Sequence, residues 1–118
     1  MTHPNKAKGS TFERQVREYI RDQGLSVDHL RLAGTDDQGD LYVRESDSVL
    51  ELKAEKRINL SGYLKEANNE ADNYAEAHRR GADRPAFYAV VKARGKSVGQ
   101  AYVVTTLDEW IRLNRKAK

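Results

Sequence analysis

The chain has 118 residues, 33% of them charged and 38% hydrophobic, with a formal net charge of +3; that is room for one domain with one core. It has no cysteine, which excludes disulfides and thiolate zinc sites. It also has no apolar run near the roughly 18 residues of a membrane span, and Met1 to Lys8 lacks the apolar stretch of a secretory signal. The expectation is a single domain over residues 1–118, in the cytoplasm (a host's cytoplasm if the chain is phage-encoded), with no membrane partner.

The small net charge hides an asymmetry. Residues 1–78 hold 11 Lys and Arg against 15 Asp and Glu, net −4, whereas residues 79–118 hold 10 against 3, net +7. An acidic centre beside a basic surface fits a polyanionic partner, and a solubilising surface is the plainer reading.

In chain order, the polar segment through Gly9 reads as a flexible arm. A helix follows from about Thr11 to Gln23, stopped by Gly24, with Phe12, Val16, Tyr19 and Ile20 as its buried stripe. Ser10 and Glu13 have capping-box spacing, so Glu13 reads either as a cap or as a site residue next to the stripe. Leu25 to Leu32 is an imperfect first strand containing His29, which reads as a half-exposed strand residue. Ala33 to Gly39, rich in glycine and acid, is a loop leading into Asp40.

The stretch from Gly39 to Lys53 reads as a hairpin of two alternating runs, Asp40 to Arg44 and Ser48 to Lys53. A two-residue loop at Ser46 and Asp47 puts Asp40 opposite Lys53 and Tyr42 opposite Glu51. All four then share one face, with Asp40 and Glu51 as diagonal neighbours about 7 to 8 Å apart, while Leu41, Val43, Leu50 and Leu52 take the other. Two carboxylates beside one ammonium repel each other unless a cation lies between them. Oxygen ligands of this kind suit Mg²⁺, with Mn²⁺ as a substitute. A salt bridge between Asp40 and Lys53 is the alternative reading.

Asn59 or Ser61 caps a second helix, whose stripe is Leu64, Ala67, Ala71, Tyr74, Ala75 and His78 and whose stop is Gly81. Glu66 and Glu70 flank that stripe, where a residue could reach the site across the sheet edge, and a solvated face is the plainer reading. Ala86 to Ala93, after Pro85, has apolar residues on both faces and reads as a central strand. A glycine turn over Arg94 to Gly99 leads to a strand from Gln100 to Thr105. Thr106 and Glu109 form a second capping box before a short helix carrying Leu107, Trp110, Ile111 and Leu113, in which Trp110 reads as a core plug rather than a base-stacking platform. The order is αβββαββα, an α/β domain whose mixed central sheet of about five strands is flanked by helices.

With these elements in place, the sequence resembles the PD-(D/E)xK nucleases, which have a restriction-endonuclease-like fold. KGSTFERQVREYI at Lys8 to Ile20, the loop before Asp40, ELK at Glu51 to Lys53 and PAFYAVVK at Pro85 to Lys92 look most like archaeal-type Holliday-junction resolvases. Gly39 stands where the family name has proline. The resemblance implies metal-binding acids at Glu13, Asp40 and Glu51, a further ligand in the Leu52 carbonyl, a catalytic lysine at Lys53 and a loop hydroxyl at Thr35. Glu70 and Tyr74 match the spacing of a Q-x-x-x-Y motif of RecB-type members, without its glutamine.

The implied activity is Mg²⁺-dependent hydrolysis of DNA phosphodiesters, most like that of a homodimeric junction resolvase. A restriction- or repair-type nuclease on duplex or flap DNA, and a non-catalytic DNA-binding module on the same fold, are the alternatives. Lys56, Arg57, Arg79, Arg80, Arg84, Lys92, Arg94 and Lys96 are the candidate phosphate contacts. Candidate dimer contributors are the exposed parts of Tyr88 to Val91 and Tyr102 to Val104, and the helix around Trp110 and Ile111; each reads equally as monomer core.

Overall fold

The computed structural model describes residues 4–30 and 40–116, with side chains over 11–30 and 41–116. The elements are α1 (Pro4–Asp22), β1 (Val27–His29), β2 (Asp40–Val43), β3 (Ser48–Lys53), α2 (Leu60–Ala77), β4 (Ala86–Val91), a 3₁₀ turn (Val98–Gln100), β5 (Tyr102–Val104) and α3 (Leu107–Lys116). This is the expected α/β order, with the described strands in one mixed sheet, β1-β2-β3-β4-β5. Only β3 and β4 run parallel; the other neighbours are antiparallel.

The parallel pair needs a crossover, and α2 supplies it across one face of the sheet. Ala67 and Ala71, both fully buried, let the helix approach Phe87 closely, and Tyr63 packs on Ala89 and Val91. The opposite face carries the larger core. There Phe12 and Val16 of α1 meet Val27, Leu41, Val43, Leu50, Leu52 and Val90. The two faces of β4 divide as its alternation predicts.

Several boundaries move. Helix α1 begins at Pro4, so residues 4–9 are helical rather than a loose arm, and proline suits a first helical turn because its missing N–H has no helical partner there. Ser10 therefore lies inside the helix rather than at its N-cap position. Tyr19 is 43% exposed instead of core. Its ring lies against Gly99, where a Cβ would come within 2.7 Å of the Tyr19 hydroxyl. The expected strand from Gln100 is shortened by the 3₁₀ turn. Gly24 and Gly81 adopt positive φ at the two helix stops, as their sequence positions require.

The hairpin register is two residues away from the expected one. Asp40 pairs with Glu51, Leu41 with Leu50, Tyr42 with Val49 and Val43 with Ser48. The loop is Arg44 to Asp47, with the Asp47 N–H donating to the Arg44 carbonyl at 3.2 Å and Asp47 at φ +49°. A two-residue hairpin loop wants glycine or asparagine at positive φ, which Ser46 and Asp47 do not both satisfy, whereas a longer loop needs only Asp47 in that region. Distant groups hold the turn: Asp47 accepts from the Tyr42 hydroxyl at 2.7 Å and from both terminal nitrogens of Arg80 at 2.8 and 2.6 Å.

Helix α3 is rotated relative to expectation. Glu109 is 2% exposed, whereas Leu107 is 72% and Trp110 57% exposed, so Trp110 is no core plug. Thr106 caps the helix by accepting from the Glu109 N–H at 3.1 Å. The Glu109 carboxylate does not complete the box. It accepts instead from the Phe87 N–H at 3.1 Å and from Arg112 at 2.7 Å.

Candidate functional site

A shift of two residues preserves strand parity, so Asp40, Tyr42, Glu51 and Lys53 still occupy positions on one face, the face covered by α2. Asp40 and Glu51 are direct partners rather than diagonal ones, with α-carbons about 4.5 to 5.5 Å apart in such a pair. Lys53 lies one same-face step beyond Glu51.

Glu51 is buried at 4% exposure, and the Lys53 ammonium lies 3.4 Å from its carboxylate. A closer partner comes from α2: Glu66 meets Lys53 at 2.7 Å. The Tyr63 ring flanks the same ammonium, 5.4 Å from centroid to nitrogen, and its hydroxyl donates to Glu55 at 2.8 Å. Burial alone would lower the Lys53 pKa, but the carboxylates of Glu66 and Glu51 outweigh it and hold the group above the ordinary ammonium range. Lys53 is thus a fixed cation at neutral pH, suited to stabilising negative charge and unsuited to accepting a proton.

Helix α2 runs over these positions in step with them. Four helical residues advance about 6 Å and two strand residues about 6.7 Å, so Glu66, Glu70 and Tyr74 keep pace with Lys53, Glu51 and Val49. Two pairings anchor the alignment. One is Glu66 with Lys53; the other is Tyr74 stacked on Tyr42, the partner of Val49, with centroids 4.4 Å apart. His78 continues the stack on Tyr74 at 3.9 Å. Glu70 is buried at the level of the Asp40 and Glu51 pair. The solvated-face reading is corrected for Glu70, which is buried; Glu66 is exposed, as that reading has it, but its carboxylate reaches Lys53. The signal was available in their four-residue spacing, which continues to Tyr74, and in their position beside the alanine stripe.

Glu13 stands apart from that group. It is 7% exposed on the α1 side of the sheet, paired with Arg17, and 3.9 Å from His29 Nε2. His29 pairs with Leu41 and shares its face; its Nε2 is shielded from solvent and has no hydrogen-bond partner among the described residues. Among the described residues no three acidic or histidine side chains converge as a metal-binding group. Leu52 turns its side chain to the α1 core. Thr35 lies outside the described residues, as does the side chain of Asp40.

The parallel strands β3 and β4 end together beyond Lys53 and Val91, and a cleft of about 720 Å³ opens there, lined by Ala54, Glu55, Lys56, Arg57, Lys92, Arg94 and Gly95. Four cations thus face one opening that begins at Ala54, the residue after Lys53, and Glu55 is engaged by Tyr63. Lys96 is exposed in the turn just beyond Gly95. Arg80 and Arg84 are used differently. Arg80 clamps Asp47, and Arg84 lies over the Phe87 ring, 3.4 Å from Glu109, so their charge is directed into the fold. Arg79, at φ +54°, is exposed past the end of α2, away from the cleft-lining residues.

Compared with known proteins, the chain matches no family model, no curated protein sequence and no solved structure. No helix of the described residues is long and apolar enough to cross a membrane.

Proposed function

We propose that the protein is a Mg²⁺-dependent DNA endonuclease of the PD-(D/E)xK type, with a Holliday junction as its preferred substrate. One observation carries the reading: Asp40 and Glu51 occupy facing strand positions, with the Lys53 ammonium 3.4 Å from Glu51, and the chain runs on from Lys53 into a cleft lined by four cations.

The donor set fits a hard cation. Glu51 is a buried carboxylate, Asp40 is its direct partner on the neighbouring strand, and Mg²⁺ binds through one or two carboxylates while keeping waters. These two residues would hold the ion, with the Leu52 carbonyl as a further candidate; Glu13, on the α1 side with Arg17 and His29, is not brought to this site. Bound there, Mg²⁺, or Mn²⁺ in its place, polarises a phosphodiester oxygen and makes water more acidic.

The chain's own residues do the remaining work. Lys53, fixed as a cation, neutralises charge that develops on the phosphoryl oxygens as water attacks. Lys56, Arg57, Lys92 and Arg94 hold the phosphates of the flanking strand and set its register through the site. The hydrophobic floor under Glu51, made by Val49, Ala89 and Val91, keeps the local dielectric low and strengthens each of these charges. Two opposed strands of a junction require two such sites, which a homodimer supplies.

Purified protein with Mg²⁺ and matched four-way, flap and linear DNA provides the test. Paired cuts in the four-way substrate support the junction reading; preferential cutting of flap or linear DNA assigns the site to a repair- or restriction-type nuclease. Tight binding without cleavage of any substrate assigns it to a DNA-binding module.

A further inference from the structure

We infer that Glu66 is a positioning residue for Lys53: from α2 it fixes the ammonium so that its remaining donor points at the phosphate. The inference rests on the nuclease reading and adds to it a residue from the opposite layer of the fold.

A lysine ammonium has three donors on a flexible four-carbon stem, and left to itself it samples many rotamers. Here it is held from several sides. Glu66 takes it at 2.7 Å, Glu51 lies at 3.4 Å, and the Tyr63 ring closes a third side. With two directions committed to carboxylates, one donor is left for a phosphate oxygen. Glu51 cannot do this alone, because a cation between it and Asp40 draws on the same carboxylate. Glu66 has no such competing role, and it enters from α2 rather than from the strand that carries Lys53.

Magnitudes separate positioning from structure. Glu66 is 54% exposed, and an ion pair with one partner so open contributes little to folding. Misplacing a catalytic group by about 1 Å can cost about a hundredfold in rate. Losing Glu66 should therefore slow cleavage and leave the fold alone. A purely structural pair would give the reverse ranking.

Glu66→Ala and Glu66→Gln test this in the full chain with Mg²⁺ and the best DNA substrate. For Glu66→Ala the expected result is a kcat lower by about ten- to a hundredfold, with KM and melting temperature close to those of the parent. Glu66→Gln keeps an acceptor oxygen at the same place and should recover most of the rate. A readout independent of activity is the Lys53 side-chain ¹⁵N signal, expected to be sharp in the parent and in Glu66→Gln but exchange-broadened in Glu66→Ala.

Parent-like kcat in Glu66→Ala, or loss of melting temperature in proportion to loss of rate, overturns the positioning role and leaves the nuclease reading standing. Absence of cleavage by the parent on every DNA defeats the nuclease reading instead. The ¹⁵N signal then still decides whether Glu66 holds the ammonium: an unchanged signal in Glu66→Ala shows that it does not.

Discussion

Asp40 and Glu51 stand directly opposite one another on adjacent antiparallel strands. Like charges at such positions destabilise a sheet. A pair arranged against its own electrostatics is understandable where a cation is to be bound. Asp40→Asn or Glu51→Gln is expected to lower cleavage in Mg²⁺ by about a thousandfold, the equivalent of about 4 kcal/mol of transition-state stabilisation. DNA binding by either variant should be retained or tightened, because a negative charge facing phosphate is gone. Measurement of cleavage and binding on the same substrate checks both halves; substantial cutting by either variant overturns the assignment.

The strand-end cleft makes a separate demand. Neutralising Lys56, Arg57, Lys92 or Arg94 should weaken binding to all DNA sequences alike and reduce the slope of log affinity against log salt by about one for each phosphate no longer neutralised. Arg80→Gln and Arg84→Gln serve as the contrast. Their guanidinium groups are engaged by Asp47 and Glu109, so the expected loss there is in melting temperature, with the salt slope unchanged. A salt slope that falls for Arg80 or Arg84 and not for the cleft residues would reverse the assignment.

The order of elements was legible because each apolar stripe has one period and ends at a glycine or a cap, and β4 carried apolar residues on both faces. The register of β2 on β3 was not. Its turn is held by Arg80, 33 residues away from Asp47, a tertiary interaction that no local pattern contains; the face shared by Asp40, Glu51 and Lys53 survived because the error was an even number of residues. Trp110 was misplaced for a related reason. The helical period shows that α3 has two faces, but the buried one is chosen by Glu109, whose carboxylate finds the Phe87 N–H and two arginines. Glu66 and Glu70 look like ordinary helix surface until the alanine stripe beside them is laid on the sheet.

Acid should loosen the hairpin turn. The Arg80 guanidinium bonded to Asp47, helped by the Tyr42 hydroxyl and working against burial, holds the Asp47 carboxyl down to about 2. The folded pKa lies below the unfolded one, so the stabilisation is fully present above the unfolded value near 4 and is lost as pH falls toward 2. With the Asp47 side chain 34% exposed, solvent screening reduces the contribution to about 1 kcal/mol. Comparing thermal unfolding of the parent and Asp47→Asn from pH 6 to about pH 2 tests this. The difference in melting temperature should shrink toward zero at the acid end, and a constant difference would contradict it.

Removing the carboxylate of Glu109 should cost far more. Glu109→Ala leaves the Phe87 N–H without its acceptor and strips the charge partner from Arg112 and Arg84. Breaking a buried ion pair by deleting one partner costs about 3 to 5 kcal/mol. Chemical denaturation should show that loss with an unchanged denaturant slope. A loss under about 1 kcal/mol would mean that the arginines find other partners.

Stoichiometry follows from chemistry and from the surface together. Resolving a four-way junction requires cuts in two opposed strands, and one chain offers one acid pair. The interface expected from sequence included Tyr88 to Val91, but Val90 and Val91 are core. Of the apolar groups exposed among the described residues, Tyr102 and Val103 lie on β5, 50% and 64% exposed, and Leu107 and Trp110 on α3, while Tyr19, Leu25, Ile58 and Leu60 are exposed elsewhere. Strand β5 is also a sheet edge, and an edge carrying exposed apolar side chains favours pairing with another chain. A second copy related by a twofold axis would cover this surface and supply the second site. The parent protein should therefore sediment as a dimer at micromolar concentration and nick both strands of a cruciform almost together. Val103→Lys combined with Trp110→Ser is expected to shift it to monomer and uncouple the two nicks, leaving cleavage at a single strand intact. A parent protein that is monomeric and nicks junction and linear duplex at equal rates would end the resolvase reading and leave a simpler nuclease.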